Sequence, residues 1–371
     1  MSIASIALDG DVVRFELADG TAGALHALAL RDACACNQCR LPSGQRLFES
    51  HDVLQGLRPT FARVDGDDAE IGFTDRHVSV FDVATIRSEL EAARAGHRPR
   101  RPLTLWDAGF DVPELAYEDV VDGDGARREW LAAVAELGVA VVRGAPAVDR
   151  TVARIAELFS PVRVTNYGRV FDVRVKVDAT NLADSQLGLS LHTDNPYRVP
   201  QPTVQLLHCL SSSASGGETV ISDGFRAVEA LRHEDPAALR VLAEHPVRYR
   251  YADAGADLQA DVPVVSLDGD GLPVSLQVNN RSKGTPAGRP VLVERWYAAY
   301  VRLHQLLAAD DARVRLRLDA GDAIVFDNGR VLHGRTAFTA EGSRWLQGCY
   351  ADRDALLSTL AVLEREGVRV A

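Results

Sequence analysis

The sequence lacks an excess of basic residues. Lysine and arginine together number 41 against 52 aspartates and glutamates, so the 371-residue chain carries a formal net charge of −11. A surface that coats nucleic acid or an anionic membrane needs a positive field, so this balance argues against both classes of partner. Composition leaves a globular protein whose activity must be inferred from local motifs.

Long apolar runs and a leader-like segment are also missing. No stretch of about 18 apolar residues could cross a bilayer, and the start of the sequence has no basic segment followed by an apolar one. Only five cysteines occur, an odd number spread unevenly. A secreted scaffold held by disulfides is therefore not expected. These absences predict a cytoplasmic protein.

A basic, proline-containing segment between about residues 87 and 103 separates two regions of different pattern. Upstream of it, short segments alternate apolar and polar residues, as half-buried strands do. Downstream, from about residue 160, many short strand-like segments are joined by Gly/Asp turns, with few helices. This pattern is typical of a double-sheet barrel or jelly roll with peripheral helices. We expect a small domain over 1–95 and a larger, mainly β domain over 105–371.

Three of the five cysteines, Cys34, Cys36 and Cys39, lie within six positions. Zinc prefers four sulfur or nitrogen ligands in a tetrahedral arrangement, so a fourth ligand must come from elsewhere. His51 and His77 are the nearest downstream candidates, and we favour His77 because it lies within a strand-like segment. A closed Cys3His site would stabilise a small domain by cross-linking it, and it would leave no open coordination position on the zinc for catalysis. A catalytic zinc, an iron–sulfur cluster or three ordinary cysteines are the alternatives.

A second motif, His192-Thr-Asp194, follows an apolar strand-like segment, and His333 follows another near the C-terminus. Because strand side chains alternate, His192 and Asp194 project from one face. Two imidazoles and one carboxylate form the facial triad of non-haem Fe(II) oxygenases, which leaves positions open for a co-substrate and oxygen. Arg344 comes eleven residues after His333. Its guanidinium suits the far carboxylate of a 2-oxo-dicarboxylic acid that chelates the iron.

These motifs resemble the taurine dioxygenase superfamily of Fe(II)/2-oxoglutarate oxygenases, and in particular its γ-butyrobetaine hydroxylase branch. The segments that carry the resemblance include LRDACACNQC, HTDNPY, SASGGET, VFDNGRVLHGR and CYADRD, and it extends from about residue 5 to 365. It implies a double-stranded β-helix (jelly roll) catalytic domain, a small β-rich zinc-binding N-terminal domain and a homodimer. It also implies Fe(II) as cofactor, 2-oxoglutarate and O2 as co-substrates, and a structural Zn(II).

Matching these motifs residue by residue implies roles for individual side chains. His192, Asp194 and His333 would bind iron, while Arg344 and the Thr219 hydroxyl would hold the 2-oxoglutarate carboxylate. The three clustered cysteines and His77 would bind zinc. Other positions match an aromatic cage around a trimethylammonium group, namely Tyr167, Phe171 and Tyr350. The positions that match the end holding the substrate's anion are Asn181, Asn279 and Asn280.

One position departs from the resembled branch. Asp184 stands eight residues before His192, where the butyrobetaine enzymes have a cage aromatic. A carboxylate can attract an ammonium by charge and accept N–H hydrogen bonds, and a trimethylammonium has no N–H to donate. Asp184 therefore shifts the expected substrate toward a primary or partly methylated amine, or indicates a looser cation site.

The expected activity couples oxidative decarboxylation of 2-oxoglutarate to hydroxylation of an unactivated C–H bond. The expected substrate is a small zwitterionic amine, either a betaine, an aminophosphonate or an amino acid. One alternative keeps the cofactors but catalyses desaturation or C–heteroatom cleavage. An alternative of another class is a non-catalytic zinc-binding scaffold protein, and the intact set of His192, Asp194, His333 and Arg344 counts against it.

Overall fold

The chain divides into two compact units, Met1–Arg101 and Pro102–Ala371. The structure is a computed structural model that describes residues 2–96, 100–174, 187–338 and 343–370. The division falls inside the basic, proline-containing segment. Within the described residues, no helix combines the length and apolar character that a membrane span requires.

In its described residues, the N-terminal unit contains two antiparallel three-stranded sheets and three helices. Its elements are β1 (Ile3–Asp9), β2 (Val12–Leu17), β3 (Ala22–His26), α1 (Ala27–Ala33), α2 (Ser50–Val53), β4 (Pro59–Asp65), β5 (Asp68–Phe73), β6 (Val78–Phe81) and α3 (Val83–Ala95). The strand orders are β1-β2-β3 and β4-β5-β6. Along β2, Val13, Phe15 and Leu17 are buried and alternate with exposed polar residues, which confirms the predicted half-buried strand.

The larger unit is mainly β. Its strands are β7 (Glu114–Ala116), β8 (Val139–Arg143), β9 (Phe171–Arg174), β10 (Leu189–His192), β11 (Val204–Ser212), β12 (Thr219–Asp223), β13 (Val247–Ala252), β14 (Asp257–Val262), β15 (Val265–Leu267), β16 (Pro273–Leu276), β17 (Val314–Leu316), β18 (Ala323–Asp327), β19 (Val331–Arg335) and β20 (Arg344–Ala351). Its helices are α4 (Tyr117–Asp122), α5 (Asp124–Leu137), α6 (Thr151–Ala156), α7 (Gly224–Glu234), α8 (Pro236–Glu244), α9 (Pro290–Ala308) and α10 (Arg353–Val370), with a short 3-10 turn at Asp310–Ala312.

Two sheets of this unit face each other across an apolar core. A six-stranded sheet has the order β7-β8-β18-β11-β20-β9, and a four-stranded sheet has the order β10-β19-β12-β17. Leu207 and Phe326 from the first sheet share a core with Ile221 and Val331 from the second. Helices α5, α6 and α10 cover the six-stranded sheet, while α7 and α9 pack on the four-stranded one. This is the jelly roll with peripheral helices that the sequence predicted.

A candidate metal centre beside an aromatic pocket

Two histidines and one aspartate converge at the β10 edge of the four-stranded sheet. His192 ends β10 and lies directly opposite His333 of β19 in the antiparallel register. Asp194 Oδ1 lies 3.4 Å from His192 Nε2, and Asp194 Oδ2 lies 4.0 Å from His333 Nε2. Because the three side chains offer donor atoms that all lie within 4.8 Å of one another, one metal ion can contact all three.

Hydrogen bonds hold Asp194 in place. Its Oδ2 accepts a hydrogen bond from Gln205 Nε2 at 2.9 Å and another from the Tyr350 hydroxyl at 2.8 Å. The Asp194 backbone N–H donates to Asn328 Oδ1 at 2.8 Å, and Asn328 Nδ2 donates to the Asp194 carbonyl oxygen at 3.0 Å. These contacts fix the carboxylate in position with Oδ1 toward His192 and Oδ2 toward His333.

The environment of the two histidines suits metal binding. Burial, reinforced by the nearby His192, lowers the pKa of His333 to about 3, so this imidazole is neutral near pH 7. His192 Nδ1 lies 2.9 Å from the Ser190 carbonyl oxygen, a contact in which Nδ1–H donates, and Nε2 is the ring nitrogen that lies 3.4 Å from Asp194 Oδ1. Two imidazoles and one carboxylate form the donor set of non-haem Fe(II) sites. The residues present therefore fit ferrous iron.

A half-buried arginine, Arg344, begins β20; the sequence predicts that it holds the 2-oxoglutarate carboxylate. Arg344 Nε donates to the Gly217 carbonyl oxygen at 3.1 Å. Gly217 has φ +72°, and a Cβ there would lie 2.9 Å from Arg344 Cδ, so only glycine permits this approach. Burial, together with the neighbouring Arg335, lowers the pKa of Arg344 to about 10. A bound anion would offset the repulsion from Arg335, and buried Thr219 begins β12 two residues after Gly217.

An aromatic cluster adjoins the metal centre. It contains the three predicted cage residues, because the ring of Phe171 stacks on that of Tyr350 at 5.2 Å and lies 6.1 Å from that of Tyr167. Tyr350 links the cluster to the metal centre through its hydrogen bond to Asp194. Burial and the Asp194 charge raise the pKa of Tyr350 well above its ordinary value, so its hydroxyl remains a donor.

Two further tyrosines join this cluster and were missed by the sequence reasoning. The Tyr197 hydroxyl lies 2.8 Å from that of Tyr167, and the Tyr251 ring lies 5.3 Å from Tyr197 and 5.6 Å from Tyr167. Tyr197 belongs to the HTDNPY motif, three residues after Asp194, so proximity in the chain could have indicated it. Tyr251 comes from the β13–β14 hairpin, and no motif marks it.

The amides predicted to hold the substrate's anion have different surroundings. Asn279 is buried, and its Nδ2 donates to the Thr193 carbonyl oxygen at 3.0 Å, so its amide holds the backbone between His192 and Asp194. Asn280 is exposed. Asn181 and Asp184 lie outside the residues that the structure describes.

The N-terminal unit gathers the three clustered cysteines around one histidine. His77 Nε2 lies 3.2 Å from Cys34 Sγ, 3.8 Å from Cys36 Sγ and 3.5 Å from Cys39 Sγ. Burial lowers the pKa of His77, which keeps its imidazole neutral. His51, the other candidate, is exposed and lies near Asp52 instead. Three thiols and one imidazole around a single point fit a structural zinc ion.

A buried arginine supports this Cys3His site. Arg31 donates to Cys39 Sγ at 3.2 Å and to Asp75 Oδ2 at 2.8 Å, while Asp75 Oδ1 accepts the backbone N–H of His77 at 3.0 Å. Zinc with three thiolates and a neutral histidine carries a net charge of −1. The Arg31 guanidinium offsets that charge, and Asp75 orients the segment that carries the histidine.

The two-sheet fold and the paired histidines with one aspartate are typical of the non-haem iron oxygenase class. Residues 99–350 match the taurine catabolism dioxygenase TauD, TfdA family, and residues 6–87 match the gamma-butyrobetaine hydroxylase-like N-terminal family. The chain belongs to the TauD/TfdA family. It is a 2-oxoglutarate-dependent dioxygenase, with Fe(II) as cofactor and 2-oxoglutarate and O2 as co-substrates.

Characterised relatives align with nearly the whole chain. The gamma-butyrobetaine dioxygenase of Pseudomonas sp. (strain AK-1) is 36% identical, with 98% of this chain and 96% of that protein aligned. The gamma-butyrobetaine dioxygenase of Homo sapiens is 31% identical, with 91% of each chain aligned. The mitochondrial trimethyllysine dioxygenase of Gallus gallus is 28% identical, with 96% of this chain and 87% of that protein aligned. The similarity thus includes both units.

Proposed function

We propose that the chain hydroxylates a C–H bond of a small zwitterionic amine of the γ-butyrobetaine type. One O2 and one 2-oxoglutarate are consumed for each substrate, and the hydroxylated product, succinate and CO2 are released. The relatives named for γ-butyrobetaine and trimethyllysine both act on trimethylated amines, and that chemistry is proposed here for this chain.

The observation that carries the proposal is the contact between the aromatic cluster and the metal centre. The Tyr350 hydroxyl donates to Asp194 at 2.8 Å while its ring stacks on Phe171 at 5.2 Å. A cation is attracted to aromatic faces within about 6 Å of their centroids. An ammonium bound against these rings would therefore place the neighbouring carbons of the same small molecule beside the metal ligands.

Each group of residues has a separate task in this reaction. His192, Asp194 and His333 would hold Fe(II), which when bound supplies the redox chemistry that couples O2 and 2-oxoglutarate to C–H oxidation. Arg344 would bind the far carboxylate of 2-oxoglutarate by paired hydrogen bonds. The tyrosine and phenylalanine rings hold the substrate in one orientation, which lowers the entropic cost of the reaction.

The test is a succinate-release screen with purified, Fe(II)-loaded chain across betaines, aminophosphonates and amino acids. We expect release above the substrate-free rate with at least one zwitterionic amine, and mass spectrometry of the product should show a gain of one oxygen. A loss of two hydrogens would instead indicate desaturation, and a fragment would indicate C–heteroatom cleavage. Absence of 2-oxoglutarate turnover under all conditions would favour the non-catalytic scaffold.

Replacing Arg344 by alanine should raise the KM for 2-oxoglutarate about 10- to 100-fold, since a charge-assisted hydrogen-bonded pair is lost. The KM for the amine substrate should change far less. Arg344→Lys keeps the charge without the paired geometry and should give an intermediate value. The matched control is Arg315→Ala in β17, where an exposed arginine is removed. An unchanged KM for 2-oxoglutarate in Arg344→Ala would contradict the assignment.

A homodimer and a cytoplasmic location remain predictions from the sequence. Light scattering of the purified chain measures the first, and fractionation of the source cells measures the second. A monomer at micromolar concentration would contradict the predicted dimer.

A further inference from the structure

Thr193, the residue between the first two metal ligands, is held by a different part of the chain. β10 ends at His192, so Thr193 and Asp194 follow the strand. Strand alternation accounts for the side on which Asp194 lies, but the sheet pairing described for β10 does not extend to it. Other contacts therefore have to keep the Asp194 carboxylate beside the two imidazoles.

The hydrogen bonds of Thr193 lead to Val278 and Asn279, just after β16. The Thr193 backbone N–H donates to the Val278 carbonyl oxygen at 2.7 Å, and the Thr193 hydroxyl oxygen accepts the Val278 backbone N–H at 3.0 Å. The hydroxyl in turn donates to the Val278 carbonyl oxygen at 3.5 Å, and the Thr193 carbonyl oxygen accepts a hydrogen bond from Asn279 Nδ2 at 3.0 Å. The backbone and the side chain of Thr193 are thus both engaged, and the residue is fully buried.

Val278 gives these hydrogen bonds a rigid anchor. It is fully buried and belongs to the same apolar cluster as Trp296 of α9 and Leu332 of β19. Because Leu332 directly precedes His333, the third metal ligand extends from this cluster as well. Thr193 therefore connects the segment of the first two ligands to the core that carries the third.

We propose that Thr193 is a positioning residue whose hydrogen bonds to the segment after β16 fix the spacing of the iron ligands. The proposal rests on the assignment of His192, Asp194 and His333 to iron, and it holds for whichever amine is the substrate. Without the hydroxyl, the buried Val278 N–H would lose its acceptor, and the segment would shift to supply another. Metal-binding side chains have to stay within about 0.5 Å of the productive geometry, so such a shift weakens iron binding.

The experiment compares the Fe(II) affinity of wild type, Thr193→Val and Thr193→Ser. Valine keeps the branched shape of threonine without the hydroxyl, whereas serine keeps the hydroxyl without the methyl group. Metal-free full-length chain is titrated with Fe(II) under anaerobic conditions and without substrate. The dissociation constant of Thr193→Val should rise about 10- to 100-fold, as is typical when residues that orient metal ligands are removed. That of Thr193→Ser should stay within about threefold of wild type, because the hydrogen bond is retained.

Thr151→Val is the matched control. Thr151 begins α6, is fully buried and accepts a hydrogen bond from Arg154 Nη2 at 2.7 Å, so the same substitution removes a buried hydroxyl elsewhere in the larger unit. Thr151→Val and Thr193→Val should both lower the midpoint of thermal unfolding of the metal-free chain, because each loses a buried hydrogen bond. Only Thr193→Val should also lose Fe(II) affinity.

Wild-type Fe(II) affinity in Thr193→Val would overturn the proposal and leave the ligand assignment intact. An equal loss of affinity in Thr151→Val would show a general effect of lost stability, and an equal loss in Thr193→Ser would assign the effect to the methyl group; either result would also overturn the proposal. If Thr193→Val does not fold, Asn279→Ala removes the hydrogen bond to the Thr193 carbonyl oxygen and should likewise weaken Fe(II) binding. Unchanged affinity in that variant would then overturn the proposal. If wild type itself binds no Fe(II), the ligand assignment falls, and the role of Thr193 falls with it.

Discussion

Succinate release should fall at least about 100-fold when Asp194 is replaced by asparagine, with the fold unchanged. Removing a residue that hydrogen-bonds to a metal-binding side chain typically lowers metal affinity or activity about 10- to 100-fold. Removing the negative charge of the metal-binding carboxylate should therefore lower them further. Asparagine has the shape of aspartate and retains groups that can bond Gln205 and Tyr350, whose contacts to Asp194 Oδ2 are 2.9 and 2.8 Å. The change therefore tests the negative charge and not the packing.

The matched control for this prediction is Asp261→Asn. Asp261 is an exposed carboxylate of β14 that pairs with Arg248 at 2.7 Å, and exposed pairs contribute about 0 to 1 kcal/mol to stability. Activity of this variant should equal that of wild type. Titration with Fe(II) under anaerobic conditions should show weaker metal binding in Asp194→Asn and normal binding in the control. Wild-type turnover in Asp194→Asn would exclude this residue as an iron ligand.

The shared position of His192 and Asp194 was predictable because their spacing is local. His192 and Asp194 are two residues apart, and strand alternation places them on one face. What the sequence did not specify is that β19 pairs with β10 so that His333 lies opposite His192. This pairing joins positions 141 residues apart. The sequence suggested it only because residue 333 is a histidine and its motif resembles that of a known family. The same holds for His77, whose approach to the cysteines depends on the folding of β5 and β6.

The substrate pocket was only partly predictable. Tyr251 reaches the cluster because the hairpin β13–β14 lies beside Tyr197, and hairpin placement depends on tertiary packing that no local pattern encodes. Asn279, predicted to hold the substrate's anion, also donates to the Thr193 carbonyl oxygen at 3.0 Å, a contact that no local pattern encodes.

Loss of zinc should destabilise the N-terminal unit strongly. The ion would connect the loop after α1 to the segment before β6, and a structural zinc site of this kind contributes about 10 to 16 kcal/mol of apparent binding free energy near pH 7. The unit has its own core, including Val13, Phe15 and Ile71, so some of its sheet structure can persist without metal. We expect the loop that carries the cysteines to lose its order first.

His77→Ala and Cys36→Ser should each lower the midpoint of thermal unfolding by at least about 10 °C, since 1 kcal/mol corresponds to roughly 4 to 8 °C in a domain of 60 to 100 residues. Each should also abolish stoichiometric zinc binding, measured by metal analysis of the purified full chain. His51→Ala is the matched control. It removes an exposed histidine that lies in the same unit and outside the Cys3His cluster, and zinc content and midpoint should both stay at the wild-type value.

Metal content distinguishes stabilisation by a bound zinc ion from stabilisation by the packing of these side chains alone. A packing defect alone would lower the unfolding midpoint of the variants but leave one zinc per chain. If bound zinc stabilises the unit, a chelator should lower the unfolding midpoint of wild type to that of His77→Ala. The chelator should leave the midpoint of His77→Ala unchanged, because both proteins then lack bound zinc. Stoichiometric zinc in Cys36→Ser or His77→Ala would exclude the mutated residue as a ligand.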